Sequence, residues 1–362
     1  LAYPWWIRSV RALGALSTNS EEFGMAELIF THESWALRET FTISRGSKTH
    51  AEVIKVTLSD GNHIGHGESV PYARYGENIS HVEAQLHSVA DAIRQGMTRE
   101  ALQDALPPGA ARNALDCAYW DLASQQQGKP VWQLAGLPRP TPLVSAYTLS
   151  LDTPERMAQS AQRNAYRPLL KLKLADEQDI DRVAAVRRWA PESRLIVDAN
   201  EGWDAALYQR LVPELLRLGV AMIEQPLPAR EDAALASLPR PIPICADESC
   251  HDRRSLAGLA ARYDLINIKL DKSGGLTEAL HLRHAARAQG LKVMVGCMVS
   301  TSLSMAPATL VAQGADVVDL DGPLLLQDDR VGGLEWRDSQ LYLPENGLWG
   351  QGQSRTCLTG VA

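Results

Sequence analysis

The chain has 362 residues and a net charge of −7, with its positive charges scattered, so nucleic acid and anionic membrane surfaces are poor partners. Hydrophobic residues make up 45%, enough for a full core, and no apolar run approaches the roughly 18 residues that span a bilayer. The five cysteines are odd in number and show no CxxC spacing, which argues against a disulfide framework and a zinc site and fits a reducing cytoplasm.

The length suits a large barrel plus a smaller second domain. Residues 1–24 have no clean hydrophobic periodicity and read as a leader or upstream extension. From Leu28 to Glu68 short apolar runs recur (ELIF, WALRETFTISR, AEVIKVTLSDG, HIGHGESV), and Asp60-Gly61 between the last two is a hairpin signal. Residues 79–95 and 110–127 are helical in pattern, the second closed by Gly128 and Pro130. Residues 25–142 thus read as an α+β domain. After Pro142 eight strand-like segments follow: VSAYTL, LLKLKL, LIVDAN, VAMIEQP, PICADES, LINIKL, KVMVGC and VVDLDG. Helical stretches separate them, one opening at Thr153-Pro154-Glu155 with a cap residue and a proline at the first helical position. A spacing of roughly 22 to 28 residues is that of a βα unit, so residues 143–326 are expected to form a (β/α)8 barrel. A doubly wound sheet is the alternative, but no GxGxxG follows the first strand. Residues 327–362 are expected to return to the first domain.

Strand residues alternate in direction, and a barrel covered by helices needs an apolar outer face. Charges of one parity at the strand ends therefore point into the open mouth. Lys171 and Lys173 share a face on the second strand, and Asp198 and Asn200 on the third. Glu224 ends the fourth strand and Asp247-Glu248 the fifth; Asn267, Lys269 and Asp271 alternate on the sixth, and Asp319 and Asp321 on the eighth. A lone KLKL is usually a solvated edge strand, and a lone acid usually a cap; recurrence around the ring reverses that reading. Three acids on neighbouring strands repel one another unless a cation sits among them, and all-oxygen donors favour Mg²⁺ over Zn²⁺. A substrate carboxylate on such an ion has a more acidic neighbouring C–H. The lysines of the second strand, Lys171 and Lys173, and Lys269 of the sixth flank the acids from opposite sides, which suits removal of that proton from one face and its return to the other. Lys272-Ser273-Gly274-Gly275 reads as a turn with a helix start rather than a phosphate cradle.

Taken in order, Lys171-Leu-Lys173, Asp198-Ala-Asn200, Glu224-Gln-Pro226, Ala246-Asp247-Glu248-Ser249 and Lys269 followed by Ser273-Gly274-Gly275 resemble the enolase superfamily in its muconate-lactonizing subgroup, from Met25 to about Pro344. The resemblance implies a barrel with an N-terminal α+β capping domain, one Mg²⁺ held by Asp198, Glu224 and Asp247, and catalysis by Lys173 and Lys269. Within the subgroup the chain is most similar to the L-Ala-D/L-Glu epimerases, because Asp319-Leu-Asp321 matches the pair that holds a dipeptide's ammonium. By the same resemblance Arg45 faces the distal carboxylate of Glu, and Thr148 and Lys171 position the substrate. Cys297, closing the seventh strand, either lines the pocket or is a buried structural cysteine. Expected partners are a small dipeptide and, as in many barrels of the family, further copies of the chain, with a place in murein peptide metabolism. Other subgroup enzymes (N-acylamino-acid racemase, o-succinylbenzoate synthase, muconate cycloisomerase) share the lysines and metal but need no anionic ammonium pocket. A metal-independent Schiff-base lyase on the same fold is the alternative of another class.

Overall fold

A computed structural model of the chain describes residues 26–337, 339–343 and 347–352, so the expected leader and most of the tail lie outside the described residues. The chain opens with an antiparallel sheet of β1 (Glu27–Ile43), β2 (Gly46–Ser59) and β3 (Ile64–Ser69). The runs ELIF and WALRETFTISR, read apart, lie on one 17-residue strand whose register against β2 shifts between Ala36 and Phe41. Such a shift bends and twists the strand locally. The turn after β2 is held by Asp60, whose Oδ1 accepts from the backbone N–H groups of Asn62 (2.8 Å) and His63 (2.7 Å).

Three helices follow: α1 (Ile79–Arg94), α2 (Arg99–Ala105) and α3 (Ala110–Gln127). Seven-residue α2 carries too few periods to show in the sequence, and Thr98 caps it. α3 packs so tightly on β3 that a Cβ on Gly67 would stand 2.0 Å from the Ala114 carbonyl oxygen. Its far side grips the barrel. Arg112 donates to the carbonyls of Ser273 (2.7 Å) and Gly274 (3.2 Å), and Asn113 donates to Asp271 (2.9 Å). A short α4 (Val131–Leu134) and β4 (Leu143–Val144) lead into the barrel.

The barrel runs β5 (Tyr147–Leu149), α5 (Pro154–Asn164), β6 (Leu169–Lys173), α6 (Asp179–Trp189), β7 (Arg194–Asp198), α7 (Ala205–Arg217), β8 (Val220–Glu224), β9 (Ile244–Ala246), β10 (Leu265–Ile268), α8 (Leu270–Ser273), α9 (Leu276–Ala288), β11 (Lys292–Gly296), α10 (Ser302–Ala312) and β12 (Val317–Asp319). The eight strands are parallel and neighbour one another in chain order. Ala146 N–H donates to the Val318 carbonyl at 2.8 Å across the gap between first and last strand. The connections after β8 and β9 are 3₁₀ turns rather than α-helices. Prolines at 226, 228, 239, 241 and 243 crowd the first of these and confine any helix in it to residues 229–238.

The alternation expected of the strands holds throughout. Outward residues such as Leu170, Val197, Ile223, Ile266 and Val295 join the helices in the main core. Inward ones form a separate apolar floor: Ala146, Leu169, Ile196, Met222, Cys245, Leu265, Met294 and Val317. Two residues further along the chain seven of the eight strands turn from apolar to polar, β11 reaching Gly296 instead, which seats the charged layer on a dry base. β13 (Glu335–Arg337) and β14 (Gln340–Tyr342) form a small sheet with β4. The same C-terminal stretch reaches the first domain, with Arg330 Nη2 2.6 Å from both Glu33 and Glu68 and Trp349 Nε1 donating to the Cys117 carbonyl at 3.0 Å. Among the described residues no helix is long and apolar enough to cross a membrane.

Candidate active site

The register of the parallel strands sets Lys173, Asp198 and Glu224 side by side as direct neighbours on β6, β7 and β8. Asp247 follows one residue after the end of β9, and Lys269 one after β10. All five are buried. Lys173, Asp247 and Lys269, with Lys48, Lys171, Glu248, Asp319 and others, line a cavity of about 350 Å³ at the C-terminal mouth. Burying so many charges is costly unless each finds a partner, and the network shows how that is met. Lys173 Nζ lies 2.6 Å from Asp198, and Lys269 Nζ 2.6 Å from Asp247. Lys171 Nζ stands among three acids, 2.7 Å from Asp319, 2.7 Å from Glu224 and 3.2 Å from Asp198. Lys272, which sequence reasoning passed over as part of a turn, holds the other oxygen of Asp247 at 2.6 Å and the Asn267 carbonyl at 2.9 Å. Asn267 in turn donates to Glu224 Oε1 at 2.7 Å. Gly296 leaves room for that amide, since a Cβ there would meet it at 2.7 Å.

The acids divide by environment. Burial alone would raise the Asp198 carboxyl, but Lys173 and Lys171 bring it down to about 2. Asp247 is likewise held well below the usual range by Lys269 and Lys272 against its burial. Glu224 is raised by burial and by Asp198. Glu248 is pushed up to about 7 by burial and by Asp247 and Asp198, and Asp321 to about 7 by burial and Asp319.

Among the described residues no three acidic, histidine or cysteine side chains converge as a ready ion cage, because ammonium groups stand between the acids. The donor set nevertheless fits a hard cation. Three carboxylates on consecutive strands offer only oxygen, and Glu224 Oε2 has no hydrogen bond of sound geometry although Lys171 is near.

Asp319 and Asp321 point into the same cavity, with the Thr148 N–H donating to Asp321 Oδ2 at 2.6 Å and Asp319 Oδ1 left without a partner. Cys297 lines the wall, its thiol pushed far up by burial and by these two aspartates. Arg45 reaches the rim, but its guanidinium is already shared by Glu248 (2.7 Å), the Asn200 carbonyl (2.6 Å) and Glu201 (3.3 Å). The cation that stays uncommitted is Lys48, three residues on. Among the described residues it makes no hydrogen bond or ion pair, and burial together with Lys173 and Lys269 lowers its ammonium to about 8. Sequence reasoning missed it because a lysine at the start of a strand carries no signal of its own.

The N-terminal domain of mandelate racemase/muconate lactonizing enzyme is matched over residues 25–136, and the enolase C-terminal domain-like fold over residues 155–350. An L-Ala-D/L-Glu epimerase of Escherichia coli is 47% identical over 86% of this chain and 98% of its own. An N-acetyl-D-glutamate racemase of a Pseudoalteromonas species is 45% identical over 82% of this chain and 95% of its own. Among solved structures, an enolase family member from Agrobacterium tumefaciens with homology to dipeptide epimerases, bound to sodium and L-Ala-L-Glu, superimposes with a TM-score of 0.87. It is 52% identical and covers 90% of this chain and 100% of its own. A dipeptide epimerase from Enterococcus faecalis, in complex with Mg and L-Leu-L-Tyr, gives a TM-score of 0.83 at 28% identity, covering 91% and 99%.

Proposed function

The chain belongs to the enolase superfamily, in its mandelate racemase/muconate-lactonizing branch, and is a magnesium-dependent dipeptide epimerase; we propose that its substrates are of the L-Ala-D/L-Glu kind. The observation that carries the mechanism is the placement of Lys173 and Lys269 on opposite sides of the arc Asp198–Glu224–Asp247. Asp198, Glu224 and Asp247 would hold the magnesium ion, in place of the ammonium contacts that now balance them. When bound, the ion supplies positive charge to the substrate carboxylate and so acidifies the neighbouring C–H. One of the two lysines takes the proton from Cα, and the other delivers a proton to the far face. The acceptor must enter the reaction as a neutral amine, its proton released to solvent; against its burial, Asp247 and Glu224 raise the Lys269 ammonium, so a cation that neutralised those carboxylates would favour the neutral form. Lys171 stays charged among the acids and orients the substrate carboxylate. Thr148 holds Asp321, and Asp319 and Asp321 receive the dipeptide's ammonium. Lys48 meets the distal carboxylate, while Arg45 is engaged at the rim. Cys297 shapes the wall.

The racemisation of N-acylated amino acids is the second reading, favoured by the racemase relative. Against it, a neutral acyl amide would leave two buried aspartates beside each other with only Lys171, itself shared with Glu224 and Asp198, to balance them. The test is incubation in D₂O with L-Ala-L-Glu and, separately, with N-acetyl-D-Glu, read by mass spectrometry and chiral chromatography. Epimerisation of the dipeptide with deuterium uptake, lost in EDTA and regained with Mg²⁺, is the expected result. Faster turnover of the N-acetyl compound moves the assignment to the racemases. We further propose residues 25–142 as the capping domain and 143–326 as the barrel, and a cytoplasmic setting, consistent with free Cys117, Cys245, Cys250 and Cys297.

A further inference from the structure

The segment after β7 has an unusual backbone. Asn200 (φ 45°) and Glu201 (φ 67°) are consecutive non-glycine residues in the left-handed region. Such residues cost of order 1–3 kcal/mol each and persist only where the surroundings fix them. Here the fixing groups come from two sides. On the barrel side, Asn200 N–H donates to Asp198 Oδ1 (2.9 Å) and its Nδ2 to Asp198 Oδ2 (3.2 Å). On the cap side, the Asn200 carbonyl accepts from Ser44 Oγ (2.8 Å) and Arg45 Nη1 (2.6 Å), both in the tight turn between β1 and β2. The same guanidinium reaches Glu248 Oε1 at 2.7 Å, and Glu248 adjoins Asp247. Arg74 adds a bidentate clamp on Glu201 at 2.6 and 2.7 Å.

We propose that Arg45 is a positioning residue that joins closure of the β1–β2 turn to assembly of the metal site, by holding Asn200 and Glu248 and, through them, Asp198 and Asp247. The assignment rests on the reading of Asp198, Glu224 and Asp247 as the magnesium acids. If one side chain braces the neighbours of two of the three acids, turn closure and Mg²⁺ binding favour each other by the same factor. Groups that orient metal-ligating side chains are typically worth about 10- to 100-fold in metal affinity. The same turn precedes Lys48 on β2, whose free ammonium lines the cavity.

The test measures Mg²⁺ binding by calorimetry, without substrate, in wild type, Arg45→Met, Arg45→Lys and Ser44→Ala. It is paired with hydrogen exchange of residues 41–48 with and without Mg²⁺. Arg45→Met should bind Mg²⁺ about 10- to 100-fold more weakly. Arg45→Lys should recover part of the loss, and Ser44→Ala, which removes one of the two cap-side bonds, should show a smaller loss. Mg²⁺ should slow exchange in the turn of wild type but not of Arg45→Met, and excess Mg²⁺ should restore kcat to Arg45→Met. Unchanged Mg²⁺ affinity in a folded Arg45→Met, or in Ser44→Ala if that variant alone folds, overturns the inference and leaves the proposed function standing. A wild type that binds no Mg²⁺, as Asp198→Asn is expected to behave, takes down both.

Discussion

Lys48→Met separates substrate recognition from chemistry. In the cavity Lys48 is the ammonium without a protein partner among the described residues, and burial with Lys173 and Lys269 nearby lowers it to about 8. A hydrogen bond from a charged donor to a substrate carboxylate is worth about 1.5–3 kcal/mol. At about 1.4 kcal/mol per decade, that is about 10- to 150-fold in kcat/KM for L-Ala-L-Glu. The contact is made alike in ground and transition states, so the loss should fall on KM with kcat nearly unchanged. L-Ala-L-Ala, which has no distal carboxylate, should lose little. The substitution should also raise Tm at neutral pH, because it removes a desolvated cation that repels two others. The sign with pH follows: between about 8 and 10.5 the unfolded chain binds the extra proton, so wild-type stability rises with pH there, and Lys48→Met should lose that slope. The assay is steady-state kinetics on both dipeptides with melts from pH 7 to 10. Equal losses for the two dipeptides, or none for either, refute Lys48 as the carboxylate contact.

Lys173→Ala and Lys269→Ala should each abolish epimerisation, by at least about 100-fold, while one of them still exchanges the α-proton of a single epimer in D₂O; NMR on each pure epimer decides, and full activity in either variant ends the two-base scheme. Gly67→Ala should cost about 1–3 kcal/mol, because its methyl group would meet the Ala114 carbonyl at 2.0 Å and force α3 away from β3; an unchanged Tm refutes that packing.

What the sequence disclosed and what it hid have one physical cause. Side-chain parity is a local rule, so Lys171, Asp198, Glu224, Asp247, Asn267 and Asp319 could be placed at the mouth from their position two residues beyond an apolar inward neighbour. The eight strands were legible for the same reason. The 3₁₀ connections after β8 and β9 were not, since runs of 3 to 5 residues carry too few periods to show. Lys272 and Lys48 escaped because their importance lies in what faces them: the Asp247 carboxylate in one case, open cavity in the other. Arg45 was singled out, but its partners Glu248 and Asn200 sit 203 and 155 residues away and meet it only after the cap folds over the barrel. Arg330 bridging Glu33 and Glu68 is a pairing of the same long-range kind.

The ammonium pocket proposed at Asp319 and Asp321 carries a pH signature. Asp321 is pushed up to about 7 by burial and Asp319, against the Thr148 N–H and Lys171 that draw it down. Its charged form is the one a dipeptide's ammonium needs. That ammonium itself titrates near 8, as an ordinary α-amino group does, and Lys48 also releases its proton at about 8. kcat/KM, which reports the free enzyme and free substrate, should therefore rise through about pH 7 and fall above about 8. In Asp321→Asn the acidic limb should vanish while overall kcat/KM drops. In Lys48→Met the alkaline limb should persist, carried by the substrate alone. The folded state holds the Asp321 proton over the window from about 4 to 7 where the unfolded chain has lost it, so this group's contribution to stability declines as pH rises to about 7. A bound ammonium offsets that decline, since it favours the carboxylate. L-Ala-L-Glu should thus raise Tm more at pH 8 than at pH 6. An acidic limb that survives unchanged in Asp321→Asn would show that the pocket's charge is not what receives the dipeptide's amino end.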